Sequence, residues 1–263
     1  MGNAHTAVSN ERDSDNEGAV EGPKVLGEVK LAKTIIRMWL NCFVHDQSKY
    51  LITGRNMDVR NLANDLNYPD LVYLIRRFLH KQLFPASDSS AESHARLPAF
   101  DERIHVYPSA VATFYAPSDI CGTGGMRRER IRSMTSWRGG PCRHDCVFIQ
   151  TDPDAEGMRG LDVGRVRLFF SFKFQGKFYP CALVQWFSRI GDEADEDTGM
   201  WIIKPDPTLC VVHLDTILRA AHLIGVYGTQ SMPKSLSHSQ SLDIFRAYYV
   251  NKYIDHQSFE IAF

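Results

Sequence analysis

With 263 residues, 44% of them hydrophobic, the chain has enough apolar material for one or two domains with buried cores, which excludes a wholly disordered protein. Thirty basic residues against 31 acidic ones leave a net charge of -1, so any contact with nucleic acid depends on local patches and not on the overall field. No apolar run approaches the roughly 18 to 20 residues of a membrane span, and the six scattered cysteines, with no signal peptide ahead of them, read as reduced thiols of an intracellular protein.

Residues 1–22 read as a disordered acidic tail: Glu11, Asp13, Asp15, Glu17 and Glu21 face Arg12, with too little apolar surface to offset chain entropy. The opening Met1-Gly2-Asn3-Ala4-His5-Thr6 fits the sparse myristoylation pattern. Acidic residues follow it where anionic lipid calls for basic ones, so a chance match is the simpler reading and no membrane partner is expected.

Residues 23–85 read as a helical segment. Val25, Val29, Ala32, Ile36, Trp39 and Phe43 are spaced to form one stripe of a helix, with Lys24, Lys30, Lys33 and Arg37 off it. A core helix with a solvated basic back is the simpler account, a DNA-contacting helix the alternative. Asn56 to Leu66 is a candidate short helix. A better one follows Pro69: Leu71, Leu74, Ile75, Phe78 and Leu79 supply the stripe, Asp70 suits the N-terminal end, and His80 and Lys81 suit the C-terminal end of the helix dipole. Residues 86–97 carry no periodicity and read as a linker.

Residues 98–228 read as a β-rich domain. Ile104 and Val106 open a strand, while Ala110 to Tyr115 suits helix or strand. Between Gly122 and Asp145, Arg127, Arg128, Arg130, Arg132, Arg138 and Arg143 face two acids, a local excess of four positive charges. Forked guanidinium donors suit phosphate oxygens, glycines let backbone amides come close, and Trp137 can stack on a base or sugar. These seven residues, the six arginines and Trp137, form the candidate nucleic-acid contact. The glycines complete neither a phosphate-binding GxxxxGK[ST] loop nor GxGxxG. Pairing of the arginines with the acidic loop Asp192, Glu193, Asp195, Glu196 and Asp197 stands as the other reading.

Cys142, His144 and Cys146, with Cys121 as an extra ligand, are weak candidates for zinc. Their spacing is tighter than that of structural zinc pairs and no second pair completes a tetrahedron, so buried thiols and no metal or other cofactor are expected. His213 and Asp215 fall on one side of a strand, and a hydrolytic group of Asp215, His213 and His144 is the enzymatic alternative. Asp215 has a simpler role as the cap of a following helical turn, and no catalytic residue is assigned.

From Arg165 the pattern is clearest. Val166, Leu168, Phe170, Phe172 and Phe174 alternate with Arg165, Arg167, Ser171 and Lys173, Gln175 and Gly176 supply a turn, and Phe178 to Phe187 returns. Met200 to Lys204, stopped by Pro205, reads as a third strand and Cys210 to Leu214 as a fourth. These imply an α+β fold: a helical N-terminal segment, then a small bent antiparallel sheet or barrel, SH3-like or BAH-like by analogy from strand count and the closing HLDTILRAAHLIGVYG segment. Residues 229–263 close the chain as a polar connector and a helix from Ser241 with Leu242, Phe245, Tyr249 and Tyr253 on its apolar stripe.

The runs FYAPSDICGTGGMRRERIRSMTSWRGG, ALVQWF, DEDTGMWIIKP and VVHLDTILRAAHLIGVYG, within a match from about Tyr68 to the end, resemble the C-terminal region of fungal Plavaka-type transposases, relatives of the Kyakuja-Dileera-Zisupton group. In that family the acidic catalytic triad lies upstream of the matched region. The resemblance therefore implies a transposon-derived, non-catalytic, nuclear piece whose partners are DNA, chromatin or the transposase core. A degenerate remnant without activity and a metal-dependent nuclease or hydrolase are the competing expectations. Two-metal phosphoryl transfer needs converging carboxylates, whereas the acids here cluster in one loop and the tail.

Overall fold

Alternating apolar and polar side chains put far more of the described chain into antiparallel strands than into helices. The structure, a computed structural model, describes residues 29–31, 38–39, 51–52, 57–85, 97–116, 125–228, 231–232 and 234–263. The acidic tail, the linker up to Arg96, and Cys121, Gly122 and Gly124 lie outside the described residues.

In chain order the elements are β1 (Val29–Leu31), β2 (Met38–Trp39), β3 (Leu51–Ile52), β4 (Met57–Asp58), helix α1 (Val59–Asp65) and helix α2 (Leu71–Leu83). Then come β5 (Arg103–Tyr107), β6 (Ser109–Tyr115), β7 (Met126–Met134), β8 (Arg143–His144), β9 (Cys146–Gln150), β10 (Leu161–Phe174) and β11 (Lys177–Arg189). The chain continues through β12 (Ile202–His213), β13 (Ile217–Ala221), β14 (Leu223–Gly225) and β15 (Tyr248–Val250) to a last helix, α3 (His256–Ile261).

The hairpin of β10 and β11 is the spine of a nine-stranded antiparallel sheet. Gln175 (φ 50°) and Gly176 (φ 79°) both take left-handed conformations, which makes the tight two-residue turn whose twist matches its strands. Beyond the spine the path runs β13-β9-β10-β11-β12-β15-β14, and the second half of β10 pairs instead with β5, which carries β4. The four strands expected to make a small bent sheet or barrel are thus part of a larger sheet. Among the described residues no pairing closes β13 onto β14.

A second sheet, β1-β6-β7-β8, covers one face of the first, and helices α1 and α2 cover the other. On the helix side Leu71, Ile75 and Leu79 pack over Leu168, Phe170, Phe172 and Leu183, with Phe78 set edge-on to Phe172 and Tyr179. On the other side Ala110, Ala112, Phe114 and Ile131 pack on Val166, Phe169, Ala182 and Val184. The expected single face from Val166 to Phe174 is broken between Val166 and Leu168. There Val166 pairs with Val184 and Leu168 with Leu183, leaving Arg167 as the extra residue of a β-bulge that reverses the alternation.

Of the helix expected over Val25–Phe43, Val25, Ala32, Ile36 and Phe43 lie outside the described residues, and the residues that are described form strand. Val29, Lys30 and Leu31 pair with Ala112, Val111 and Ala110 as an edge strand, and Met38–Trp39 pair with Leu51–Ile52. The spacing is helical, but a free edge of β6 offers Val29 both a ladder and burial, and tertiary pairing overrides local periodicity. The helices over 59–65 and 71–83 do form. Asp58 caps the first through Oδ1, which accepts from the Arg60 and Asn61 amides at 2.8 and 3.2 Å.

Two further expectations change. Met200–Lys204 and Cys210–Leu214 belong to one strand, β12, because Asp206, Pro207 and Thr208 form an irregularity opposite Trp186 where a proline lacking its N–H breaks no ladder bond. The helix expected from Ser241 is replaced by turns and then by β15, whose Tyr248 and Tyr249 pair with Ile203 and Ile202. Tyr248 is fully buried against Phe187 and Phe245, so its place is set by a sheet edge and not by its own spacing. The terminal helix begins at His256, where Asp255 accepts from the Ser258 amide at 2.8 Å.

Candidate nucleic-acid interface

Strand β7 holds four of the seven candidate residues, and the two-residue period of a strand divides them. Arg127, Glu129, Ile131 and Ser133 share one face; Arg128 and Arg130 stand exposed on the other, followed by half-buried Arg132. Alternate residues on a strand are about 6.8 Å apart, so the three outward arginines form an evenly spaced row. Arg130 donates to Ser109 Oγ at 3.2 Å, and Arg132 donates from its terminal nitrogen to the Arg130 carbonyl at 3.2 Å. The Arg132 Nε is buried without a hydrogen-bond partner.

The chain then turns at Ser136–Pro141. The Ser136 hydroxyl donates to the Gly140 carbonyl at 2.8 Å, the Gly140 amide to the Trp137 carbonyl at 2.9 Å, and Arg138 and Gly139 take φ of 53° and 77°. This presents the Trp137 ring to three guanidiniums, those of Arg132, Arg138 and Arg143, at 4.5, 5.2 and 5.4 Å from its centroid. Asp145 is the carboxylate among them, accepting from Arg143 Nε at 2.7 Å and from the Arg132 amide at 2.8 Å. Burial, and then the charges of Arg143, Arg130 and Arg138, push the Arg132 pKa down against the opposing pull of Asp145. Six arginines and one tryptophan remote in sequence pattern are thus partly gathered: Arg132, Trp137, Arg138 and Arg143 form one cluster, Arg128 and Arg130 extend it as a row, and Arg127 points away.

Arg127 belongs to a separate network on the inner face of β7. Arg219, 4% exposed at its side chain, holds Asp255 and reaches Glu129 at 3.4 Å, while Arg127 lies 3.8 Å from Asp255. A cleft of about 410 Å³ beside this network is lined by three acids, Glu129, Asp145 and Asp255. Each is committed: Glu129 to the Ala220 amide (2.5 Å) and Arg219, Asp145 to Arg143, Asp255 to Arg219 and the Ser258 amide. Among the described residues no three His, Cys, Asp or Glu side chains converge to hold a metal ion. Asp145 and Asp255 reach the arginine stretch, and in the acidic loop Asp195 is bound by the Thr198 hydroxyl at 2.7 Å.

Of the remaining candidates, Cys142 and His144 line a cleft with Trp137, Arg138 and Arg143, and Cys146 lines the one with Glu129 and Asp255. Cys146 is buried and its thiol is pushed up to about 12 by burial, with Cys142 half-buried before it. His144 Nδ1 lies 3.0 Å from Ser133 Oγ and 3.1 Å from the Val166 carbonyl, and burial, then Arg167 and Arg165, lower its pKa to about 4. His213, not Asp215, caps the turn at Leu214–Thr216. Its neutral Nδ1 accepts from the Asp215 amide at 3.4 Å, and when protonated the same nitrogen faces Asp215 Oδ2 at 3.2 Å.

Arg165 and Arg219 are absent from the sequence-derived set. Each lies inside a largely apolar strand, 6% and 3% exposed, and that context is the signal that marks a buried, paired arginine. Arg165 reaches Asp243 at 2.5 Å and so ties the connector to β10.

No family model, curated protein or solved structure matches the chain.

Proposed function

We propose that the chain is a non-catalytic, transposon-derived module that contacts the DNA backbone through the outer face of β7 and the Trp137 turn. The observation that carries this reading is the excess of cations over acids there: Arg128, Arg130, Arg132, Arg138 and Arg143 stand with Asp145 as their near carboxylate. Phosphate contacts require donors and charge with no demand for base-specific geometry, and a regular row of arginines on a rigid strand meets that demand. The resemblance to the C-terminal region of Plavaka-type transposases supports the same reading, and the β scaffold would act as an SH3-like or BAH-like platform in chromatin or beside the transposase core. Metal-dependent hydrolysis is not favoured, because Glu129, Asp145 and Asp255 are each tied to arginine or backbone donors.

Fluorescence anisotropy with a short DNA duplex across a range of salt tests the proposal. Affinity that falls steeply with salt, and falls again in Arg128→Gln/Arg130→Gln, supports it. Salt-insensitive or absent binding leaves the degenerate-remnant reading in its place, and metal-dependent cleavage of the duplex would replace both with the enzymatic one.

A further inference from the structure

Two clefts adjoin at Arg143 and Asp145. In the one beside Arg219 four arginines face three acids, each acid held as described above. The other, about 500 Å³, lies between the Trp137 turn and the His238–Leu242 segment, and its volume suits a small organic ligand of nucleotide size. Of the cations along it, Arg165 is taken up by Asp243, and Arg143 shares Asp145 with the Arg132 amide. Arg138 is exposed on a left-handed turn residue, its guanidinium 5.2 Å from the centroid of the Trp137 ring. The Ser239 and Ser241 residues line the opposite wall.

This cleft joins forked donors, hydroxyls and an aromatic ring, whereas its one acid is already bonded. That is the recognition chemistry of a phosphate monoester attached to a flat base. We infer that the cleft takes a nucleoside phosphate monoester, with Arg138 and Arg143 on the phosphate and Trp137 beside the base or sugar. The inference deepens the proposed function and rests on it for one of two sources of the ligand, a 5′-phosphorylated strand end. The other source is a free mononucleotide.

Binding of two single-stranded oligonucleotides of one sequence, with 5′-phosphate and with 5′-hydroxyl, is compared, alongside titration with free adenosine 5′-monophosphate and with inorganic phosphate. A bound strand end gives about tenfold tighter binding of the phosphorylated strand. Arg138→Gln, an exposed change that leaves the turn intact, reduces that ratio toward one; the hydroxyl-ended strand loses only the single backbone contact Arg138 makes in the proposed function and still binds. Arg128→Gln/Arg130→Gln weakens both strands and leaves the ratio unchanged. If neither strand binds but the free monophosphate does, with loss in Arg138→Gln, the pocket stands and the DNA-backbone function falls. Equal binding of the two strands with no uptake of the monophosphate overturns the inference and leaves the backbone reading intact; a preference that survives in both Arg138→Gln and Arg143→Gln also overturns it.

Discussion

Arg219 holds Asp255 with both terminal nitrogens, each 2.7 Å from a different carboxylate oxygen, and so joins β13 to the start of α3. The guanidinium is nearly sealed from water, its ring neighbour is Phe114 at 4.4 Å, and Gln257 Oε1 accepts a further bond at 2.8 Å. Removing one member of such a pair strands the other charge where solvent cannot reach it. Asp255→Asn keeps an N-cap for α3 but discards the charge, and is expected to cost about 3 kcal/mol or more in urea unfolding.

The acid side of the stability profile should fall in two separate windows. His144 is held to about 4, below its ordinary value, by burial and then by Arg167 and Arg165; its contribution is complete above the unfolded imidazole value and is lost as pH falls from about 6.5 towards 4. Asp255, despite the opposing effect of burial, is held at about 2 by Arg219, the Ser258 amide and Arg127, so its contribution is present above about 4 and lost as pH falls towards 2. Glu129 has the opposite sign: burial outweighs Arg219 and raises its pKa, favouring the fold slightly at low pH. Urea unfolding across pH 2 to 8 checks this, with His144→Gln flattening the upper window and Asp255→Asn the lower one.

Gly157 is a point where the backbone tolerates no side chain. Its φ is 59°, and a Cβ there would meet the Phe263 carbonyl oxygen at 1.9 Å. The Met158 amide donates to that same carbonyl at 3.4 Å. Gly157→Ala should therefore displace the residues around Phe263 and destabilise by about 1–3 kcal/mol, read as a lowered Tm and faster amide exchange at Ala262.

Phosphate contacts by the outer arginines fix a slope. Each contact removed should make the slope of log K against log salt shallower by about 0.9 on duplex DNA. Arg128→Gln/Arg130→Gln is then expected to change it by about 1.8, while Arg127→Gln, on the inner face of β7, leaves it unchanged. Equal effects of all three would show that strand alternation does not sort these residues.

The β10–β11 hairpin, helix α2 and the cationic stretch were legible from the residues alone, because each follows from neighbours close in the chain: two-residue alternation around a Gln-Gly turn, a helical stripe after Pro69, and six arginines within 17 residues. What depends on partners distant in the chain came from the packing of the whole fold. Val29 and Tyr248 became strand because sheet edges were open to them, Arg167 became the bulge that reverses the faces of β10, and Arg127 and Arg128 parted to opposite sides of β7. Arg219 found Asp255 across 36 residues of chain, a match that no local pattern encodes, since buried charge is placed by whichever counter-charge the fold brings within reach.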